Sequence, residues 1–224
     1  MIVIIPDVLS KDEQSQLKLL AAQSTFVDGK ETAGFRAKLV KNNEQVAKDA
    51  TNKRQLQEIV VAALNRSKEF RRGAIPHRIR PPLISRYRPG MTYGTHVDDA
   101  LMGPANNRDR TDVSVTVFIN DATEYDGGEL VIHSPFGIQE VKLPERYAVI
   151  YPSGTLHEVA EVTRGERLVA VTWVQSYVRD ERQRQFLSDA AQIRDRLHAL
   201  DPKAPETDTA FRLHTNLLRM WAET

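Results

Sequence analysis

The sequence contains no cysteine, and this absence excludes several kinds of chemistry at once. Without thiols the chain has no disulfides, no thiolate zinc site and no cysteine nucleophile, so a bound metal must be held by histidine and carboxylate side chains. The sequence also lacks a Gly-x-Ser-x-Gly motif, which disfavours a nucleophile-based hydrolase.

The chain also lacks an excess of charge of either sign. Lys and Arg number 31 against 30 Asp and Glu, so no general basic field attracts nucleic acid or an anionic membrane. No apolar run is long enough to cross a bilayer, and the opening Met1–Pro6 is too short and uncharged for a signal peptide. We therefore expect a cytoplasmic protein without a membrane partner, and the neutral charge argues against tight binding of duplex nucleic acid.

Residues 1–77 carry mainly helical patterns. A Ser-x-x-Glu capping box at Ser10 predicts a helix from about Ser10 to Gln23, and apolar residues at helical spacing predict another from about Lys53 to Phe70. A short apolar run, Ile2 to Ile5, is a candidate strand. We interpret residues 1–77 as an N-terminal helical and strand region that supports the rest of the chain.

From Leu83 to Gln175 the pattern changes to short β-branched and aromatic runs separated by turn residues. Eight strands are predicted: Leu83 to Arg88, Thr95 to Asp98, Val113 to Asn120, Glu129 to Ile132, Gly137 to Lys142, Tyr147 to Tyr151, His157 to Val162 and Arg167 to Gln175. Many short strands without intervening helices are typical of a double-sheet jelly roll. We expect an all-β core with helical additions (α+β), in which residues 78–177 form a double-stranded β-helix, or jelly-roll barrel.

Residues 178–224 return to helical patterns and form the predicted C-terminal helical extension. One helix is expected from Arg179 to Leu200; Pro202 and Pro205 should interrupt it, and a last helix should run from Thr209 to about Ala222. This extension either packs on the barrel or forms the contact of a homo-oligomer, and the sequence leaves both open.

Three residues form a candidate metal site. His96 and Asp98 would project from the same face of a strand, because alternate side chains of a strand share a face. With His157, they complete the two-histidine, one-carboxylate set that is typical of non-haem Fe(II). The same ligands could serve a cupin-like zinc hydrolase or isomerase, or a metal-binding protein without activity, so these alternatives stay open.

Several longer motifs carry a resemblance to a known family. They are Tyr87-Arg88-Pro89-Gly90-Met91-Thr92-Tyr93-Gly94-Thr95-His96-Val97-Asp98-Asp99-Ala100, Tyr125-Asp126-Gly127-Gly128-Glu129-Leu130, Tyr151-Pro152-Ser153-Gly154-Thr155-Leu156-His157, Val162-Thr163-Arg164-Gly165-Glu166-Arg167 and Asn216-Leu217-Leu218-Arg219-Met220-Trp221. Together they resemble the bacterial PKHD-type hydroxylases, which are Fe(II)/2-oxoglutarate-dependent dioxygenases related to the prolyl 4-hydroxylase catalytic domain.

This resemblance implies a ligand for each candidate residue. Fe(II) is expected at His96, Asp98 and His157, and the distal carboxylate of 2-oxoglutarate at Arg167, with O2 as second co-substrate and L-ascorbate (vitamin C) as an additional cofactor. Prolyl hydroxylases use a lysine where this chain has Arg167. The change preserves carboxylate binding, because a guanidinium donates two parallel hydrogen bonds to a carboxylate.

The spacing of Arg167 is compatible with that role. It follows His157 by ten residues, across the turn Arg164-Gly165-Glu166, so a returning strand could place its guanidinium beside the metal. Arg164 is the rival anchor, but a side chain in a turn usually faces water. Further candidates for lining the co-substrate pocket are Tyr87, Thr116, Thr172 and Trp173.

The expected function is therefore that of an oxidoreductase. The enzyme would couple oxidative decarboxylation of 2-oxoglutarate, giving succinate and CO2, to hydroxylation of an unidentified small-molecule or peptidyl substrate. The long polar connection from Asp99 to Asp112 is a candidate lid, because long loops beside a site often close over it.

Overall fold

The computed structural model describes residues 1–32, 34–134 and 137–223. Five α-helices lie in these ranges: α1 (Lys11–Ala22), α2 (Lys53–Arg66), α3 (Lys68–Ala74), α4 (Glu181–Leu200) and α5 (Pro205–Trp221). The strands are β1 (Val3–Ile5), β2 (Phe26–Asp28), β3 (Lys41–Asn42), β4 (Glu44–Val46), β5 (Pro76–Ile79), β6 (Leu83–Tyr87), β7 (Thr92–His96), β8 (Leu101–Met102), β9 (Asp109–Arg110), β10 (Val113–Phe118), β11 (Tyr125–Gly127), β12 (Leu130–Ser134), β13 (Gly137–Val141), β14 (Ala148–Pro152), β15 (His157–Val159), β16 (Val162–Gly165) and β17 (Arg167–Ser176). Three short 3-10 helices cover Gly29–Thr32, Ala37–Leu39 and Ala122–Glu124.

The two main sheets form the predicted jelly roll. The larger has the order β1-β14-β10-β17-β6-β4-β2, with β5 also paired to β17, and the smaller has the order β13-β12-β15-β7-β3. All of these pairings are antiparallel. The prediction of an all-β core with helical additions is confirmed.

Strands from residues 1–77 belong to both sheets. β1, β2, β4 and β5 extend the larger sheet, and β3 forms the edge of the smaller one. The N-terminal region therefore contributes directly to the barrel, because its strands hydrogen-bond into the ladders. The proposed domain boundaries at residues 77 and 177 stay a prediction.

Helices α1, α2 and α3 cover one face of the larger sheet. Residues such as Leu17, Leu56 and Phe70 pack there against Val115 and Ile150 of the strands. A second core, which includes Phe118, lies between the two sheets. β10 takes part in both cores: its Val side chains face the helices, whereas Ser114 and Thr116 line the barrel interior. All six residues of β10 are therefore buried.

The N-terminal helix begins as predicted. Ser10 caps the backbone N–H of Glu13, and the Glu13 carboxylate accepts the N–H of Ser10 in return. The expected single helix from Lys53 to Phe70 is wrong, because Ser67 takes an extended conformation (φ −68°, ψ 123°) and ends α2. The Ser67 hydroxyl then caps Phe70 and starts α3.

The two C-terminal helices pack against the rest of the chain one upon the other. α4 contacts α3 and buries Leu187 and Ala191, and α5 packs against α4. α4 ends at Leu200, before the prolines that were expected to interrupt it, but the last helix begins at Pro205 and not at Thr209. Pro205 occupies the first turn of α5, where its missing N–H costs no hydrogen bond. Within the described residues, no helix is both long and apolar enough to cross a membrane.

Candidate active site

The three predicted metal ligands meet at one point inside the barrel. His96 at the end of β7 and His157 at the start of β15 are direct cross-strand partners. Asp98 Oδ1 lies 4.0 Å from His96 Nε2, and Asp98 Oδ2 lies 3.8 Å from His157 Nε2. One ligand atom from each residue falls within 4.8 Å of the others, and all three side chains are buried. The described residues contain no second cluster of this kind.

Both histidines are oriented by their own strands. His96 Nδ1 lies 2.8 Å from the carbonyl oxygen of Gly94, and His157 Nδ1 lies 2.9 Å from that of Thr155. A carbonyl only accepts hydrogen bonds, so each Nδ1 carries the proton and each Nε2 keeps a lone pair directed at the site. This second bond of the ring is what fixes a metal-binding tautomer.

Burial keeps His96 in the form that a metal requires. Desolvation, helped by the neighbouring His157, lowers the pKa of His96 to about 4. The ring is therefore neutral at pH 7 and available as a ligand. Tyr93 stacks on it with 3.7 Å between ring centroids, which leaves little room for the imidazole to turn.

Asp98 reaches the site from outside a strand. The sequence predicted a strand from Thr95 to Asp98, but β7 spans Thr92–His96 and ends at the pairing with His157. The carboxylate is instead held by Ser114, whose hydroxyl donates to Oδ2 at 2.5 Å. Ser153 lies 2.8 Å from the same hydroxyl and completes this support. Neither serine was singled out from the sequence.

Arg167 is a buried cation without a negative partner. It is the first residue of β17, pairs with Tyr87 and is 1% exposed. Its guanidinium lies over the rings of Tyr87 and Phe118, at 5.2 and 5.7 Å from their centroids. Nε is buried without a hydrogen bond, and no described carboxylate forms an ion pair with this side chain. Because an uncompensated buried charge is costly, the arrangement suits an anionic ligand.

Arg164 differs from Arg167 in each of these respects. Its side chain is exposed, and it already binds Asp126 through bonds of 2.6 and 3.0 Å. The geometry therefore favours Arg167 as the residue with free binding capacity.

One cavity of about 420 Å³ connects these groups. The predicted site residues all line it: His96, Asp98, His157, Arg167, Tyr87, Thr116, Thr172 and Trp173. Thr172 is partly committed elsewhere, since its hydroxyl donates to the carbonyl oxygen of Arg80 at 2.6 Å. Tyr151 lines the cavity as well; burial raises its pKa, and its hydroxyl is hydrogen-bonded with Thr116.

A lysine that the sequence did not single out also lines this cavity. Lys41 in β3 is 5% exposed, and its amine lies 5.1 Å from the centroid of the Tyr93 ring. Burial lowers the pKa of Lys41 to about 8, against the opposing influence of Asp98 and Asp28. The group is thus still a cation at neutral pH.

Two irregular segments surround the mouth of the cavity. One is formed by residues 29–32 and 34–41, and the other is the connection 99–112, which contains the hairpin of β8 and β9. Arg80 fixes the hairpin by donating to the carbonyl oxygen of Met102 at 2.6 Å and to Asp109 at 2.7 Å. A Cβ on Gly34 would lie 2.3 Å from Asp99 Oδ2, so the two segments meet there.

The remaining histidines lie outside the cluster, as expected. His77 packs edge-on against Tyr177, His198 packs against Phe211, and His214 contacts Arg194. His133 lies 3.9 Å from Glu158 and is not part of the metal cluster.

The donor set fits Fe(II). Two imidazoles and one carboxylate converge, and the cavity adjoins them. This is the arrangement that non-haem Fe(II) oxygenases use, because it leaves coordination positions for co-substrates.

Comparisons with known proteins agree with this geometry. Residues 82–175 match the family model described as the 2OG-Fe(II) oxygenase superfamily. The chain is 48% identical to a PKHD-type hydroxylase of Acaryochloris marina and 46% identical to one of Synechococcus sp. (strain JA-2-3B'a(2-13)), each over 223 residues and the full length of both chains. A solved prolyl-4-hydroxylase of Pseudomonas putida shares the fold at 20% identity and a TM-score of 0.52, over 78% of this chain and 92% of that one.

These relatives favour an oxygenase over the cupin-like zinc hydrolase or isomerase that the ligands alone left open. The full-length identity is high enough to define the family. The chain belongs to the PKHD-type hydroxylases, within the 2-oxoglutarate- and Fe(II)-dependent oxygenases.

Proposed function

We propose that His96, Asp98 and His157 bind the ferrous ion of this hydroxylase and that Arg167 binds the distal carboxylate of 2-oxoglutarate. The observation that carries the proposal is the pairing of two features in one cavity. A converged His-Asp-His cluster lies beside a buried guanidinium that has no anionic partner among the described residues. A zinc hydrolase or a passive metal-binding protein offers no reason for the second feature.

When bound, iron, 2-oxoglutarate and O2 supply the oxidising chemistry, which yields succinate, CO2 and a hydroxylated substrate. The protein's own residues would bind the metal and the co-substrate and orient them. Ser114 holds the Asp98 carboxylate, and the carbonyl groups of Gly94 and Thr155 hold the histidine tautomers. Arg167 would neutralise the far end of the co-substrate, and the ring of Tyr87 packs beneath the guanidinium.

The hydroxyls of Tyr151 and Thr116 are the next candidates for contact with 2-oxoglutarate. Both line the cavity, and Arg167 lies close enough to influence the ionisation of Tyr151. A carboxylate that is bound by one guanidinium still has acceptor positions for hydroxyl donors. Trp173 lines the same cavity and is retained as a candidate contact.

The direct test is an anaerobic titration with Fe(II) and 2-oxoglutarate, followed by the weak visible charge-transfer band of the ternary complex. The wild-type protein should form the band and His96→Ala should not. His133→Ala is the matched control, because His133 lies outside the cluster and should leave the band intact. A wild-type protein without the band, or an equal band in His96→Ala, would overturn the assignment.

Three accompanying features are proposed as well. L-ascorbate as an accessory cofactor is supported by the likeness to PKHD-type hydroxylases, and added ascorbate should raise the number of turnovers before inactivation. A cytoplasmic location can be checked by fractionation.

Homo-oligomerisation through α4 and α5 is supported by exposed apolar side chains there, including Phe186, Leu213 and Met220, and sedimentation would test it.

The cavity admits more than one class of substrate. A small molecule or a peptidyl side chain would both fit a cavity that opens beside the metal cluster. The neutral net charge continues to argue against tight binding of duplex nucleic acid.

A further inference from the structure

Lys41 is a second buried cation in the cavity, and the proposed chemistry gives it no role. It extends from β3, which pairs with β7 so that Lys41 stands opposite Tyr93. Tyr93 in turn stacks on the metal-cluster residue His96. Lys41 is therefore close to the reacting centre but reaches it from the smaller sheet, whereas Arg167 reaches it from the larger one.

The ammonium group of Lys41 has unused hydrogen-bonding capacity. It has three N–H donors, and one described hydrogen bond, to Thr32 Oγ1 at 3.2 Å. No described carboxylate lies within ion-pairing distance, although Glu31 also lines the cavity. The negative charges that act on it are those of Asp98 and Asp28. Once Asp98 shares its charge with a metal ion, Lys41 loses part of that compensation.

The side chains linked to Lys41 by hydrogen bonds are neutral and polar. Lys41 donates to Thr32, Thr32 donates to Gln45, and Gln45 is fixed by donating to Ser85 at 3.1 Å. An ammonium group whose hydrogen-bonded neighbours are neutral matches a ligand with a single negative charge. A phosphate dianion would leave a charge unmatched, because Arg80, another cation on the cavity wall, is already paired with Asp109.

We propose that Lys41 binds a carboxylate of the hydroxylated substrate, so that the substrate is an acid, such as a small carboxylic acid or a chain-terminal residue. This inference rests on the proposed function, since it requires that 2-oxoglutarate occupies Arg167. The cavity then holds two acids at once, one on each buried cation. Thr32 would fix the orientation of the Lys41 amine.

The experiment uses the anaerobic complex of the full chain with Fe(II) and saturating 2-oxoglutarate. Three matched pairs of probes are added: butyrate and butyramide, N-acetylglycine and its amide, and N-acetyl-L-proline and its amide. The readout is the shift in wavelength of the visible charge-transfer band. In the wild type the acids should shift the band at concentrations about tenfold lower than the amides do, because the amides lack the charge that Lys41 binds.

Lys41→Met should remove this preference for acids while 2-oxoglutarate affinity stays unchanged. Lys38→Met is the control, since Lys38 is an exposed lysine three residues away. The substitution removes a buried charge, and normal band formation with Fe(II) and 2-oxoglutarate would show that the variant is folded.

Four results would overturn the inference. The first three are a wild type that responds equally to acids and amides or to neither, an acid preference that survives in Lys41→Met, and a loss of 2-oxoglutarate affinity in that variant. The third result would assign Lys41 to the co-substrate. A response to inorganic phosphate but to none of the acids would also contradict it. Failure of the proposed function looks different, because the band would then not form at all.

Discussion

The inner end of the cavity and its mouth are built in different ways. The inner end includes Tyr87, Thr116 and Arg167, all on antiparallel strands of the larger sheet. The mouth consists of residues 29–32, 34–41 and 99–112, where 3-10 turns and two-residue strands replace longer ladders. Phe35, within the mouth, is 92% exposed, whereas Arg167 is 1% exposed.

This difference suits two kinds of ligand. A co-substrate that never changes can be bound by side chains fixed on cross-strand pairs, such as Arg167 with Tyr87. A substrate that differs between enzymes is more easily served by loops, which tolerate sequence change better than strands do. The following variants test whether the two ends are as independent as their construction indicates.

The largest effect is expected at the metal cluster, which both ends share. Asp98→Ala removes the one carboxylate of the cluster, so turnover should fall by more than roughly 100-fold, the loss that removing even a supporting group of a metal ligand can cause. Succinate release and bound iron are the measurements. Asp99→Ala, at the neighbouring position, should retain bound iron. If Asp98→Ala keeps wild-type iron and turnover, the cluster is not the metal site.

The next effect distinguishes the two arginines of one turn. Arg167→Met should weaken the binding of 2-oxoglutarate by about 100-fold, since losing one member of a buried charge pair costs about 3 kcal/mol. Iron affinity should change much less. Arg164→Met is the control: this side chain binds Asp126 at the surface and should leave the Michaelis constant for 2-oxoglutarate unchanged. Loss in Arg164→Met with none in Arg167→Met would reverse the assignment.

A smaller effect is expected where a glycine makes room for Arg167. Gly128 has φ +67°, and a Cβ there would lie 2.9 Å from Arg167 Cδ. Gly128→Ala should lower the free energy of unfolding by about 1–2 kcal/mol from the left-handed backbone alone. It should also weaken the binding of 2-oxoglutarate, because the added methyl group would displace the Arg167 side chain.

Gly90→Ala separates the two contributions, because Gly90 has φ +84° but a Cβ there would meet no atom within 4 Å. This variant should lose stability and keep its 2-oxoglutarate affinity, as thermal unfolding and steady-state kinetics would show. Equal affinity losses in both variants would mean that the contact with Arg167 is unimportant.

The smallest effect on 2-oxoglutarate is expected at the mouth. Arg80→Gln removes the ion pair with Asp109 that fixes the β8–β9 hairpin, and should destabilise the fold by about 1–3 kcal/mol. Amide hydrogen exchange in residues 99–112 should accelerate, while 2-oxoglutarate affinity should hardly change. Arg78→Gln, whose contact with the same carboxylate is longer and more exposed, should do less. A large loss of 2-oxoglutarate affinity in Arg80→Gln would mean that the two ends are coupled.

The inner end was largely predictable from sequence. Thr116 lies in the predicted strand Val113 to Asn120, Tyr87 lies in the predicted strand Leu83 to Arg88, and the position of Arg167 after a turn indicated a returning strand. These signals are local, and a strand period or a turn expresses them directly. The capping box at Ser10 succeeded for the same reason.

The mouth was not predictable in this way. Lys41 acquires its environment from Tyr93, far along the chain, and a lysine in a short polar segment ordinarily faces water. Asp98 was placed in a strand that ends at His96, because sequence patterning does not show where a ladder stops. The break at Ser67 was missed as well, because no Pro or Gly marks it and its local signal is a single serine that caps α3.

The direct pairing of His96 with His157 has a consequence for how such enzymes diversify. The pairing of β7 with β15 places the two imidazoles side by side, and residues 29–32, 34–41 and 99–112 take no part in the contact of His96 with His157. Substitutions in these segments can therefore change which substrates the cavity admits while the proposed metal ligands keep their positions. The metal site and the segments that select the substrate can therefore change independently during evolution, although they share one small barrel.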